Sequence, residues 1–211
     1  MNATGREAVV FVHGIWLNGW EMALLRRRVA RCGYRTFVFH YPSVRCSPRE
    51  GARRLHVFLQ GIDAEVIHLV AHSLGGIVVL HLFEAFPERR PGRVVFIGTP
   101  AQGSAAARVL ARHRWLRPLL GRAGERGLLG GAPAWRARRD LGVIAGTHGL
   151  GLGLFVTLGR LPRPHDGTVS LAETAIPGAR DRFTVPAGHL ALLLSRRVAA
   201  AVCRFLASGR F

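Results

Sequence analysis

Two apolar runs joined by a serine-containing turn, at positions 66–80, constrain the fold of this chain more than any other feature. The first run, Val66 to Ala71, is short and rich in β-branched residues, which predicts a buried strand. The second run has apolar residues at helical spacing. A strand that turns at once into a helix around Ser73 needs small residues two positions before and two after the serine. Ala71 and Gly75 meet that need.

The predicted helix after Ser73 has a chemical consequence for the serine. Its N-terminal N–H groups point back at the hydroxyl, and the helix dipole adds partial positive charge there. An oxyanion forming at that point would be stabilised. The serine is therefore a candidate nucleophile, for which the rest of the chain must supply an oxyanion donor, an acid and a histidine.

The segment Ala71-His72-Ser73-Leu74-Gly75 resembles the nucleophile elbow of the α/β-hydrolase superfamily, in its lipase and esterase branch. The common pattern is Gly-x-Ser-x-Gly, and this chain departs from it at Ala71, as some small bacterial lipases do. The resemblance implies an α/β-hydrolase fold in one domain, residues 1–211, with a mostly parallel sheet of about six strands flanked by helices. It also implies that Ser73 is the nucleophile.

Strand and helix patterns alternate along the rest of the chain, which predicts a parallel sheet with right-handed crossovers. The active site of such a sheet lies beyond the carboxyl ends of its strands. His13, Ser73 and Thr99 each follow a predicted strand. The predicted strands are 8–12, 36–41, 66–72, 93–97, 142–147 and 182–185, and the predicted helices include 21–31, 48–60 and 190–206.

The first predicted strand runs into His13-Gly14-Ile15-Trp16, which resembles the oxyanion loop of the same superfamily. The resemblance implies two backbone donors, the N–H groups of Ile15 and Leu74. The alternative is a glycine-containing loop of the kind that commonly follows a strand.

A serine hydroxyl needs a base to take its proton and a third group to orient that base. In this fold the chain order is serine, acid, histidine. Only His189 follows the last predicted strand and precedes the last helix, and its Gly-His-Leu context matches the superfamily's histidine loop, so it is the predicted base. The histidines after Ser73 at or near loops are His113, His148, His165 and His189.

The acid is chosen among four aspartates: Asp63, Asp140, Asp166 and Asp181. Three of them precede the serine or stand at the amino-terminal end of a predicted strand. Asp166 lies in an Asp-Gly-Thr-Val loop that resembles the superfamily's acid loop, and it precedes His189 as the order requires. Asp166 is therefore the predicted acid, with Glu173 as a weaker substitute and a plain Asp-Gly turn as the structural alternative.

Charge is the strongest compositional bias. The chain has 30 basic and 12 acidic residues, a net charge of +18, and every basic residue is arginine. This balance indicates attraction to anionic surfaces, either lipid headgroups or nucleic acid, with a solvated basic surface as the alternative. No recognition helix or aromatic stacking motif is present, so nucleic acid is not an expected partner.

Residues 105–140 differ from the rest of the chain. The segment is dense in arginine and glycine, contains Trp115 and Trp135, and has no clear strand. We predict a lid or cap insert that could touch an anionic lipid surface. The alternative is a helical excursion that only covers the sheet. The apolar stretch from Leu150 to Leu161 is predicted to line an acyl pocket.

The three cysteines, Cys32, Cys46 and Cys203, show no paired spacing and predict neither a disulfide framework nor a zinc site. A reducing compartment fits this count. The N-terminal apolar run is broken by His13 and lacks the features of a signal peptide. We therefore expect a cytoplasmic protein, with peripheral membrane contact left open.

Together these features predict a serine hydrolase that cleaves carboxylic esters, including lipids, through an acyl-serine intermediate and without metal or cofactor. Ser73, Asp166 and His189 form the predicted triad. The same residues would serve a thioesterase, an acyltransferase, a peptidase or a haloperoxidase-like member of the fold. A non-catalytic protein that binds anionic membrane or nucleic acid on a hydrolase scaffold is the alternative of a different class.

Overall fold

A sheet of six parallel strands forms the centre of the structure, a computed structural model that describes residues 7–86, 90–149 and 151–211. The strands are β1 (Glu7–Val12), β2 (Arg35–Phe39), β3 (Val66–His72), β4 (Val94–Ile97), β5 (Leu141–Gly146) and β6 (Asp181–Val185). Their order is β2-β1-β3-β4-β5-β6, and each neighbouring pair is parallel. The predicted parallel sheet is confirmed.

Helices cover both faces of this sheet. In the described ranges they are α1 (Ala23–Ala30), α2 (Pro48–Gln60), α3 (Leu74–Ala85), α4 (Ala105–Arg112), α5 (Arg117–Leu120), α6 (Leu152–Val156), α7 (Ala191–Leu194) and α8 (Arg196–Ser208). Helices α2 and α3 pack on one face, and α1 and α8 pack on the other. None of the helices in these ranges combines the length and the apolar character needed to cross a membrane.

Strand β1 shows why both faces are apolar. Val10 and Val12 point into the core beneath α2 and α3, whereas Val9 and Phe11 point into the core beneath α1 and α8. All four side chains are fully buried. A parallel strand covered on both faces reads as a continuous apolar run, which is the pattern of β1 in the sequence.

A side-chain cap fixes the start of α2, whereas the helix predicted over 190–206 differs from the structure. Ser47 and Glu50 form a capping box at the start of α2, with each side chain accepting the other's backbone N–H. The predicted helix over 190–206 is interrupted, because Ser195 has an extended backbone and caps α8 by accepting the Val198 N–H at 3.2 Å. The last predicted helix is therefore two helices, α7 and α8.

The cysteine prediction is wrong. Cys32, just after α1, forms a disulfide with Cys203 of α8, and their Cα atoms are 6.4 Å apart across 171 positions of sequence. The pairing arises because α1 and α8 pack on the same face of the sheet. Cys46 is free and buried. Since disulfides are typical of oxidising compartments, the cysteines no longer indicate a reducing one.

The 105–140 segment comprises α4, α5, a 3₁₀ turn at Gly121–Gly124 and irregular chain up to β5. Its buried residues Leu110, Leu120 and Leu128 pack against Leu74 and Ile77 of α3. The segment therefore lies over the amino-terminal end of the helix that follows Ser73.

Candidate active site

Ser73 occupies a sharp turn between β3 and α3. Its φ of 53° and ψ of −123° place a non-glycine residue in a region that is rarely populated and costs energy to hold. The turn is fixed on the sheet side, because the Ser73 N–H donates to the Ile97 carbonyl at 2.9 Å. The side chain lies at the carboxyl end of the sheet, as predicted, and the residue is 7% exposed.

Two glycines after the serine let α3 approach the sheet edge. A Cβ on Gly75 would lie 2.7 Å from the His13 carbonyl oxygen and closer still to that of Val12. A Cβ on Gly76 would overlap the side chain of Thr99. The small residue that the pattern requires at position 75 is thus explained by contact with the end of β1.

The loop after β1 is held in place by hydrogen bonds at its first and last residues. The buried His13 ring donates from Nδ1 to the Gly14 carbonyl at 2.8 Å and stacks on Tyr41, whose hydroxyl donates to the His13 carbonyl at 3.0 Å. Burial lowers the pKa of His13, so the ring stays neutral. At the other end, Trp16 donates its backbone N–H to Ser43 Oγ at 3.1 Å.

This anchored loop lies directly over the serine. A Cβ on Gly14 would be 3.1 Å from Ser73 Cβ, a tight contact that a side chain there could make only if its neighbours shifted. Ile15 lines the same cavity as Ser73, and Leu74 is the first residue of α3. No hydrogen bond uses the N–H of Ile15 or Leu74 among the described residues.

The structure brings the predicted acid Asp166 and the predicted base His189 together. Asp166 Oδ2 lies 2.6 Å from His189 Nδ1, and the His189 N–H also donates to the Asp166 carbonyl at 2.9 Å. The other carboxylate oxygen, Oδ1, accepts the N–H groups of Thr168 at 2.9 Å and Val169 at 2.7 Å. Asp166 is 1% exposed. The three hydrogen bonds to the carboxylate oxygens thus fix the orientation of the Asp166 side chain, and the one from Nδ1 also orients the His189 ring.

Two further glycines make room for this pair, and sequence reasoning did not assign them to the site. Gly98, just after β4, has a φ of 58°, and a Cβ there would lie 2.9 Å from His189 Cε1 and 3.3 Å from Asp166 Oδ2. A Cβ on Gly146, the last residue of β5, would lie 2.6 Å from that of Asp166. The sequence feature that could have identified them is their position, since Gly98 directly follows β4 and Gly146 ends β5, at the edge of the sheet where the site lies.

Ser73 and His189 line one cavity of about 300 Å³. No hydrogen bond joins them in the described parts of the chain, and such contacts often tighten only when substrate binds. A larger depression of about 840 Å³ is lined by His148 and His165 instead, and it includes neither Ser73 nor His189. The competing His148 and His165 are thereby separated from the serine.

His72 is a second functional candidate that the sequence did not reveal. His72 is among the residues that line the cavity, its ring centroid lies 4.6 Å from that of His189, and both of its ring nitrogens are buried. Burial, and then the repulsion expected from a charged His189, hold the pKa of His72 well below its usual range. His72 is therefore a neutral ring beside the predicted base.

Across residues 7–86, 90–149 and 151–211, no group of three or more His, Cys, Asp or Glu side chains is arranged to hold a metal ion. Asp166 and His189 are committed to each other by the 2.6 Å contact.

Six parallel strands, and a helix that begins directly after a serine with a positive φ, define the α/β-hydrolase fold. The model of the alpha/beta hydrolase family matches residues 9–206, and the chain belongs to that family. This membership supports hydrolase activity. A comparison with curated proteins finds no match.

Solved structures share the fold at low sequence identity. The mature lipase BlEst2 of Bacillus licheniformis is similar with a TM-score of 0.71 and 20% identity, over 98% of this chain and 93% of that one. A metagenomic carboxyl esterase is similar with a TM-score of 0.69 and 22% identity, over 90% of this chain and 67% of that one. A lipase-esterase related protein of Clostridium acetobutylicum is similar with a TM-score of 0.61 and 13% identity, over 96% of this chain and 94% of that one.

Proposed function

We propose that this protein is a serine hydrolase that cleaves carboxylic esters. The observation that carries the proposal is the Asp166–His189 pair at 2.6 Å, with His189 on the same cavity as the strained Ser73. The esterase and lipase names of the structural neighbours agree with it.

Each residue has one role in the proposed reaction. His189 takes the Ser73 proton as the hydroxyl oxygen attacks the ester carbonyl, while Asp166 keeps the Nδ1 proton in place and stabilises the charged imidazole. The N–H groups of Ile15 and Leu74 hold the oxyanion, and one such donor is worth about 3 kcal/mol in the transition state. His189 then gives its proton to the leaving alcohol, and a water activated by the same ring releases the acid from the acyl-serine.

Covalent labelling tests the nucleophile. We expect a fluorophosphonate probe to add one phosphonyl group to Ser73, located by peptide mass spectrometry, because only an activated serine hydroxyl reacts. Ser73→Ala should abolish the adduct. Ser47→Ala is the control, since Ser47 is 6% exposed, caps α2 outside the cavities beside Ser73 and should not affect labelling. An adduct that survives in Ser73→Ala would refute the assignment.

We also propose that the 105–140 insert acts as a cap, and that its exposed part, residues 112–119, contacts anionic lipid. We call this part the rim segment. Every residue in it is exposed, Trp115 is 87% exposed, and the Arg114 guanidinium lies 5.9 Å from the Trp115 ring centre. It adjoins the cavity, because the Trp16 indole N–H donates to the Leu119 carbonyl at 2.7 Å. Basic residues beside exposed aromatic side chains suit an anionic membrane surface.

Vesicle binding tests the rim segment. An arginine near an anionic surface contributes about 1 kcal/mol, so replacing Arg112, Arg114 and Arg117 by glutamine should weaken partitioning roughly a hundredfold. Sedimentation with phosphatidylserine-containing vesicles measures this. The control replaces Arg49, Arg53 and Arg54 of α2, which are also exposed, so that the same amount of charge is removed. Equal losses in the two variants would show general charge attraction and overturn the assignment to this segment.

The cytoplasmic location predicted from the sequence stays a prediction. The Cys32–Cys203 disulfide weighs against it, because cytosolic proteins seldom keep structural disulfides.

A further inference from the structure

We infer that the substrates are esters of a short acyl group, about two or three carbons, with a larger apolar alcohol. The inference rests on the proposed function and names the substrate class for that site. It follows from two cavities of unequal size that meet at Ser73.

The two cavities share one side and differ on the other. One has a volume of about 300 Å³ and is lined by His189 and Leu190 as well as Ser73. The other has a volume of about 50 Å³ and is lined by Ser73 but not by His189. Both touch the same set of side chains at their junction: Ile15, Trp16, Ser73, Leu152 and Thr168.

The chemistry decides which cavity takes which half of the ester. The tetrahedral intermediate forms on Ser73 Oγ, and the bond that breaks next joins the carbonyl carbon to the alcohol oxygen. His189 must deliver its proton to that oxygen, so the alcohol has to lie on the His189 side. The acyl group then extends the other way. The larger cavity therefore takes the alcohol and the smaller cavity takes the acyl group.

The acyl cavity is short and its far end is fixed. Since a cavity of about 150 Å³ holds the six carbons of benzene, about 50 Å³ accommodates about two non-hydrogen atoms beyond the carbonyl carbon. Leu110, Leu120 and Leu128 line it, and each is at most 5% exposed. The same leucines pack against Leu74 and Ile77 of α3. A longer chain could enter only by displacing part of this packed cluster, which costs stability.

The alcohol cavity is wider and opens among apolar side chains. Leu190, which lines this cavity and not the acyl cavity, is 54% exposed, and Trp16 and Leu152 at the junction of the two cavities are 46% and 53% exposed. Exposed apolar side chains around a cavity favour a ligand that buries them. The alcohol half is therefore expected to be the larger and apolar half of the substrate.

Isomeric esters test this division directly. Hexyl acetate and ethyl hexanoate contain the same atoms and similar leaving groups, but exchange the long chain between the alcohol and the acyl side. We expect kcat/KM to be at least about tenfold higher for hexyl acetate, since one misplaced methylene alone is worth about tenfold or more. Equal rates, or faster hydrolysis of ethyl hexanoate, would overturn the inference.

Substitutions of residues that line the acyl cavity provide a second test of the inference. Leu110→Ala should lengthen the cavity and raise the ethyl hexanoate to hexyl acetate ratio about tenfold or more. Leu59→Ala is the matched control, a buried leucine of α2 in the other core layer, and should leave the ratio unchanged. Ala107→Leu, which fills the same cavity, should move the preference toward acetate and against butanoate.

The outcomes separate the two proposals. If Ser73 takes the fluorophosphonate label and the ratios do not move with Leu110 or Ala107, the division of the site is wrong and the hydrolase assignment stands. If Ser73 is unlabelled and neither isomer is hydrolysed, the proposed function fails and the inference fails with it.

Discussion

Replacing His189 by glutamine is expected to lower kcat for ester hydrolysis by about 10⁴- to 10⁶-fold, with little change in KM. Glutamine has no nitrogen that can take the serine proton at neutral pH, so the hydroxyl stays a poor nucleophile. The fold should persist, because the backbone N–H of residue 189 still donates to the Asp166 carbonyl. Steady-state kinetics with hexyl acetate, together with loss of fluorophosphonate labelling at Ser73, measure the effect.

His165→Gln is the matched control for this result. His165 is the neighbour of Asp166 in sequence, and its Nδ1 accepts the Gly167 N–H at 3.1 Å on a different depression from Ser73. We expect less than about a tenfold change in kcat, since only substitutions in the catalytic group carry the large losses. If His165→Gln lost as much activity as His189→Gln, the base would be misassigned.

Asp166→Asn is expected to lower kcat by about 10⁴-fold, the loss that follows when the imidazole takes the wrong tautomer. Oδ1 of Asp166 accepts two backbone N–H groups, so the amide oxygen of asparagine must occupy that place. The amide NH₂ then faces His189 Nδ1, where Oδ2 was. A donor there forces the imidazole proton onto Nε2, which can no longer accept the serine proton. Kinetics at saturating ester measure the change.

Asp140→Asn controls for the loss of a partly buried carboxylate. Asp140 binds Arg93 and Arg180 beside the amino-terminal end of β5, at the edge of the sheet opposite the site. The Asp140→Asn variant should retain a near-normal kcat for ester hydrolysis. A thermal unfolding scan of both variants separates loss of catalysis from loss of fold. Full activity in Asp166→Asn would contradict its role as the orienting acid.

Much of the fold could be predicted because its signals are local. All six strands were predicted to within a few residues, since a buried parallel strand is a short apolar run whatever it pairs with. The capping box of Ser47 and Glu50 is likewise a pattern four residues long. The position of Ser73 between β3 and α3 followed from the change of period at one residue.

The wrong predictions concern contacts between residues far apart in sequence, or positions where a side chain competes with the backbone for a hydrogen bond. Cys32 and Cys203 are 171 positions apart, and only the packing of α1 beside α8 brings them together. The break at Ser195 reflects a serine that caps α8 in preference to continuing a helix. His72 was not assigned to the cavity, because its contact with His189 depends on how the last loop folds back over β3.

The sequence by itself determined the chain order of serine, aspartate and histidine, and the strand ends at which they stand. Those facts depend on local periodicity and on the rule that parallel strands share one carboxyl edge. Only the tertiary structure decided that Asp166 Oδ2 meets His189 Nδ1 at 2.6 Å, and that the space beside Ser73 divides into about 300 Å³ and about 50 Å³. Distances and cavity volumes arise from side chains of remote segments packing together, and no local pattern contains them.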